Sequence, residues 1–446
     1  MKITNTEQIR RKFPKAHPNS AEFCISSIEF LSELRLHILQ MDGSLSSVPS
    51  HPPALRSRRP ISSLINKTPM AYKDLKITRL ELLMVKPRFM FLKMHTNQDL
   101  VGYGEPILEG QTHAVAGAVR AMENYLLGKD PRQIEHHWQA LYKGSFYRGG
   151  PILTSALSGI EQAMWDILGK SLGVPVYQLL GGSVRERIRI YAHAHGADKE
   201  QLCKRARELV DMGFNFLKTG FEAPVAFVEN QRFLRNCVER FAALREEVGP
   251  EVDLALDFHG RFSPTMSKRL IKELETLYPY FVEEPCLPGN TAALVELKNS
   301  TTVPLATGER IFTKWGFRDL IEQRAVDILQ PDLCHAGGIM EVKKISAMAE
   351  ASDLAVAPHN PLGPISLAAC LQLDACTLNA VAQEQVTLGD GYLVKPFEMQ
   401  NGYIDLPTEP GLGIELDEEK VRALEYDGNW ETPRVIDQRD GSVAEW

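Results

Sequence analysis

From Leu75 onward the hydrophobic and polar positions change regime twice. The segments LKITRLELLMV and RFMFLKMHT, followed by LVGYGEP, carry apolar residues in short, strand-like runs. From about Gln111 to Leu180 the apolar positions take helical spacing. The run SALSGIEQAMWDILGKSLG holds that spacing and stops at Gly173, a residue suited to ending a helix. Three strands followed by helices predict a small α+β domain over residues 70–182.

After Gly182 short apolar runs alternate with amphipathic stretches. Eight of them read as strands: RIRIYAHA, FNFLKTG, VDLALDFHG, YFVEEP, VPLATGE, VDILQPD, LAVAPH and AVAQEQ. Most are continuous apolar runs, as parallel strands covered on both faces require. Eight strands alternating with helices predict an α/β fold built on a TIM-type barrel over residues 183–395. Residues 396–446 are then expected to pack back on the α+β domain.

The spacing of polar residues sharpens this. Strands three to eight end near Asp257, Glu283, Glu309, Asp332, His359 and Glu384, separated by 26, 26, 23, 27 and 25 residues. One strand, one helix and two loops take about that length, given roughly 250 residues for eight units. Each repeat thus delivers one ionisable group to the same end of the barrel, the C-terminal mouth where active sites sit. One acid at a strand end is usually a helix cap or a surface ion pair. Six in register point to a site.

Asp257, Glu283 and Glu309 come from neighbouring strands. Three converging carboxylates resist ionisation unless a cation neutralises them. A hard divalent ion with oxygen ligands does so, and one Mg2+ per subunit fits best because it keeps positions open for substrate oxygens. Residues i and i+2 of a strand face the same way, so His259 is expected to join Asp257 in the mouth. His259 is read as a proton-transfer group, with a second metal ligand or a packed histidine as alternatives. Asp332 ends the strand beside that of His359. A carboxylate on one imidazole nitrogen fixes the tautomer and raises basicity at the other, which makes His359 a general base. His335, in the loop after strand six, ranks lower. Glu384 reaches a developing oxyanion as a donor only if it is protonated, and a solvated strand-end acid is an equal reading. Lys218 is a weak signal, and Glu284 should face away from the mouth.

Composition narrows the function classes. The chain has 446 residues, 44% hydrophobic and 24% charged, with a formal net charge of -7, so nucleic-acid binding has no bulk electrostatic support. No run of about 18 apolar residues is present to span a membrane. Seven cysteines without framework spacing suit reduced thiols in a cytoplasmic compartment. Residues 1–69 hold ten basic and five acidic residues, and the stretch GSLSSVPSHPPALRSRRPISS is rich in Ser and Pro. They are expected to form a disordered N-terminal extension, whose basic character leaves organelle targeting open. Motifs for serine hydrolases, zinc peptidases, P-loops and dinucleotide binding are missing from the sequence.

Taken together, LDFHGR, VEEP, TGER, QPDLCHAGG, APHNPLGP and QEQ, with FYRGGPIL and SVAEW, resemble the acid-sugar dehydratases of the enolase superfamily, and within them the D-galactonate dehydratase pattern. The resemblance runs from about residue 70 to 446. It implies an α+β capping domain on a modified (β/α)7β barrel, Mg2+ at Asp257, Glu283 and Glu309, and acid and base histidines at His259 and His359. It implies that Asp332 raises histidine basicity and that Glu384 stabilises the transition state. The implied reaction converts D-galactonate to 2-dehydro-3-deoxy-D-galactonate and water through a metal-stabilised enediolate. Another aldonate such as D-gluconate is the nearest alternative, and a non-catalytic barrel the remote one. Racemases of the superfamily carry a K-x-K run on strand two. Here it reads Lys218-Thr219-Gly220, which fits the dehydratases. The chain departs from the family in its extension and in the histidines of YAHAHGAD, His193 and His195. Substrate preference is expected to lie in the capping loops near Lys86 to Phe89 and Glu105 to Thr112. A homo-oligomer is expected from the family habit.

Overall fold

The computed structural model describes residues 72–446 apart from 222 and 223. The extension predicted over residues 1–69 lies outside the described residues.

Three antiparallel strands open the fold: β1 (Ile77–Val85), β2 (Phe89–Thr96) and β3 (Val101–Gly104), in the order β1-β2-β3. The central strand β2 is almost wholly buried, because helices cover the face that its alternate residues present. The main cover is the helix Gly150–Leu172, which ends where predicted, at Gly173 with φ +72°. That left-handed conformation carries no Cβ penalty in glycine. β3 lies directly on this helix through glycines. A Cβ on Gly104 would stand 1.9 Å from the Gly159 carbonyl oxygen, and one on Gly159 would stand 2.4 Å from the Pro106 nitrogen. Both obstacles are backbone. Gly159→Ala is therefore expected to lower unfolding free energy by about 2–4 kcal/mol, at the upper end of overpacking costs. Urea denaturation checks this, and a loss under about 0.5 kcal/mol would show that the sheet can lift off the helix.

Eight parallel strands follow: β4 (Arg187–His193), β5 (Phe216–Gly220), β6 (Asp253–Asp257), β7 (Val282–Glu283), β8 (Leu305–Thr307), β9 (Ile328–Leu329), β10 (Ala355–Val356) and β11 (Gln383–Glu384). They pair in sequence from β4 to β10, and β11 pairs with β4. Val356 closes the ring by hydrogen bonds with Asn379 and Val381. One helix of eight or more residues connects each successive pair, and none follows β11, so the barrel is (β/α)7β as expected. Its interior is filled rather than open: Tyr191, Phe216 and Phe281 interlock with Ala255, Ala306, Ala357 and Ala382. After β11 a hairpin, β12 (Met399–Gln400) and β13 (Tyr403–Asp405), pairs antiparallel with β4. The chain then reaches the three-stranded sheet, where Tyr426 donates to the Met84 carbonyl and Arg422 pairs with Glu81.

Two buried carboxylates tie the α+β domain to the barrel. Glu105 accepts from the N–H groups of Gly363 and Ser366, at the start of the helix Pro364–Ala375. Glu161 accepts from those of Ile339 and Met340, at the start of the helix Ile339–Glu350. The first turn of a helix leaves such donors unpaired and favours negative charge. Burial opposes the charge and prevails over these donors, raising each carboxyl to about 8. These two helices follow β9 and β10, so the contacts brace the loops that carry Asp332 and His359.

Candidate active site

The C-terminal ends of the strands surround a cavity of about 810 Å3. Asp257 and Glu283 are the last residues of β6 and β7 and face each other in register. Glu309 lies two residues past β8, and His359 three past β10. Glu384 ends β11.

His259 reaches the cavity by a different route from the one its spacing suggested. β6 ends at Asp257, and His259 sits in a left-handed turn at φ +56°. Strand alternation therefore does not aim it. The Asp257 Oδ1 accepts the His259 main-chain N–H at 2.7 Å, which holds the turn, and both residues line the cavity. The His259 Nδ1 lies 2.6 Å from the main-chain oxygen of Trp446, whose ring stacks edge-on against the imidazole. Nothing in the pattern of the chain marked this contact, since it joins residues at opposite ends of the barrel and tail.

The His359 Nδ1 lies 2.8 Å from Asp332 Oδ2, and its Nε2 lies 3.0 Å from Glu309 Oε2. Asp332 is fully buried, and its other oxygen accepts the Cys334 N–H. It is an acceptor on every side, so Nδ1 carries the hydrogen and Nε2 faces the site. Burial alone would depress the imidazolium. Glu309, Glu384 and Asp332 outweigh it and hold His359 well above the ordinary histidine range. His335 stands behind Asp332 at 3.7 Å and lies 3.0 Å from Ser155 Oγ, a buried position that suits bracing.

Donor atoms of Glu283, Glu309 and His359 lie within 4.8 Å of one another, and Asp257 adjoins this group across the β6–β7 pair. Burial pushes Glu283 well above the usual carboxylate range, and the neighbouring acids Asp257, Glu384 and Glu309 add to it, against the pull of Lys218. Glu309 goes the other way: burial opposes its charge, but His359, His259 and Arg310 hold it well below the usual range. Converging carboxylate oxygens, open on one side to a cavity, have the donor chemistry for a hard divalent ion.

Lys218 is more central than one lysine at a strand end suggested. Its buried ammonium lies 2.7 and 2.9 Å from the Glu283 oxygens, 2.6 Å from Glu384 and 3.7 Å from Asp257. Glu384 accepts from Lys218, from the Asn360 N–H at 2.8 Å and from His193 Nε2 at 2.5 Å. Burial raises its pKa, yet Lys218, His359 and His193 bring it well below the ordinary value. Three donors favour the carboxylate, so the protonated form that an oxyanion donor requires is disfavoured here. Glu284 faces away, as expected, and holds Thr307 and Arg310. From the capping loops, Arg88 and Glu109 reach the cavity as an ion pair at 2.7 Å.

Known proteins share this architecture. Residues 77–181 match the mandelate racemase/muconate lactonizing enzyme N-terminal domain, and residues 201–420 match the enolase C-terminal domain-like family. The chain is 44% identical over 384 residues to a D-galactonate dehydratase of Cronobacter sakazakii, covering 83% of this chain and all of that one. It is 45% identical over 386 residues to a D-galactonate dehydratase of Verminephrobacter eiseniae, with the same coverage. Among solved structures, a mandelate racemase/muconate lactonizing enzyme-like protein from Rubrobacter xylanophilus superposes with a TM-score of 0.76 at 34% identity, over 80% of this chain and 98% of that one. The capping domain, the seven-helix barrel and these relatives agree: the chain is a hydro-lyase and belongs to the mandelate racemase/muconate lactonizing enzyme family of the enolase superfamily.

Proposed function

We propose that the protein dehydrates an aldonic acid with Mg2+, converting D-galactonate to 2-dehydro-3-deoxy-D-galactonate and water. The observation that carries this reading is the placement of two histidines in one cavity with the carboxylate set: His359 Nε2 lies 3.0 Å from Glu309, and His259, its main chain held by Asp257, lines the same cavity. Removal of a proton from C2 and departure of the C3 hydroxyl need a base and an acid at separate positions.

Asp257, Glu283 and Glu309 would hold the Mg2+. When bound, the ion supplies positive charge to the substrate carboxylate as the C2–H bond breaks. His359 Nε2 takes the C2 proton, with Asp332 fixing the tautomer and orientation. His259 keeps Nδ1–H on the Trp446 oxygen and donates from Nε2 to the 3-hydroxyl, which leaves as water. The C2–H electron pair first delocalises into the substrate carboxylate as an enediolate, and then forms the C2=C3 double bond as the C3–O bond breaks. The resulting enol takes a proton at C3 and gives up its C2 hydroxyl proton to solvent, becoming the 2-keto acid. Lys218, rather than a protonated Glu384, would donate to the developing negative charge, and Glu384 holds that ammonium in place.

A 2-keto acid assay with Mg2+ across a panel of aldonates tests this. D-galactonate is expected to give product. Product from D-gluconate instead would keep the chemistry and move the preference. No product from any aldonate, with folded and Mg2+-loaded protein, would overturn the reading.

A further inference from the structure

Two histidines at the end of β4 take no part in the reaction as proposed. His193 ends the strand and His195 follows in the loop, and both line the cavity. β4 lies between β5 and β11, away from Glu309 beyond β8. With Arg88 and Pro361 the pair also borders a second cavity of about 570 Å3, so it forms part of the wall between the two spaces. Gly196 and Gly220 also line the main cavity.

The hydrogen bonds of the pair run in a line from the buried Glu384. That carboxylate already accepts from Lys218 and Asn360, so His193 Nε2, at 2.5 Å, must donate to it. His193 Nδ1 then meets His195 Nε2 at 3.3 Å. Burial, with His193 and Lys218 nearby, lowers His195 to about 4, so its ring is neutral near neutral pH. Its Nδ1 accepts a hydrogen when His193 is neutral, and donates one when His193 is charged and the line reverses. A hydroxyl satisfies either polarity, whereas a carboxylate only accepts and an ammonium only donates.

We propose that His195, held by His193 and Glu384, hydrogen-bonds a hydroxyl beyond C3 of the sugar-acid chain and thereby selects among aldonates. This rests on the dehydratase reading, which places C1 to C3 at the carboxylates and at His259 and His359. His195 is the specificity-determining residue, and His193 is a positioning residue that acts through it.

Titration calorimetry with Mg2+ in a His359→Asn background, which blocks turnover, tests the assignment. The ligands are D-galactonate, its C4 epimer D-gluconate and the five-carbon L-arabinonate. His195→Ala is expected to weaken the preferred hexonate by about tenfold or more and to compress the epimer ratio to under about threefold. His195→Gln should restore part of the ratio. His193→Asn should weaken binding alone, yet add nothing to His195→Ala, because the two act as one unit. An epimer ratio unchanged by His195→Ala, or no discrimination in the parent, overturns the assignment. Turnover by the wild type separates the two readings. Product with unchanged discrimination sinks only the role of His195. Discrimination lost on His195→Ala without wild-type product sinks only the dehydratase reading. Neither product nor aldonate binding sinks both.

Discussion

Replacing His359 with Asn is expected to lower dehydration by about 10⁴-fold, the upper range for loss of a general base. Exchange of the C2 hydrogen with solvent should stop as well, while Mg2+ affinity by calorimetry stays within about threefold. The Asn amide can still donate to Asp332, so the loop after β10 keeps its brace, but no nitrogen remains that can take a proton. The affinity arm separates two roles for the ring. His359 Nε2 stands among the donor atoms of Glu283 and Glu309, so a ligand role would show as lost Mg2+ binding. The pH profile carries the same logic. Glu309, Glu384 and Asp332 raise His359 against burial, so the free base grows as pH rises and the acid limb of kcat/KM follows it. Positive charge added near Glu309 offsets that pull and lowers the pKa. The limb should therefore move to lower pH as Mg2+ concentration increases.

Lys218→Met should cost about 3–5 kcal/mol of unfolding free energy in chelator, the penalty for breaking a buried ion pair from one side. Glu283 and Glu384 are both buried and lose their ammonium partner, and Asp257 loses a neighbour at 3.7 Å. Saturating Mg2+ should return part of that loss, because a divalent ion neutralises the same oxygens and binds the folded state alone. Urea denaturation with and without Mg2+ measures both. A cost below about 1 kcal/mol would mean that the carboxylates take up protons instead and that Lys218 is not the counter-charge.

The barrel was legible because parallel strands must be apolar throughout, and the acids at their ends break those runs at regular intervals. The same regularity exposed Asp257, Glu283, Glu309, Asp332, His359 and Glu384 as one constellation. What escaped was whatever depends on contacts between distant segments or on local backbone reversal. Lys218 stands in FNFLKTG as any lysine near the end of a strand might. Its weight comes from Glu283, 65 residues on, and from Glu384 across the ring closure. His259 obeyed the expected destination by an unexpected geometry, since a left-handed turn replaces strand alternation there. The Trp446 oxygen on His259 could not be inferred from spacing at all. His193 and His195 were visible as departures from the family, but their line to Glu384 required the closed ring.

The central claim is that loss of the C2 hydrogen and of the C3 hydroxyl are one Mg2+-dependent reaction on these residues. One measurement addresses it directly: proton NMR of D-galactonate with the wild-type protein and Mg2+ in D2O. The account predicts disappearance of the C2 proton together with formation of 2-dehydro-3-deoxy-D-galactonate carrying deuterium at C3, and neither change when Mg2+ is chelated. Product formed with the C2 hydrogen retained elsewhere in the molecule, or at an unchanged rate in chelator, would contradict it.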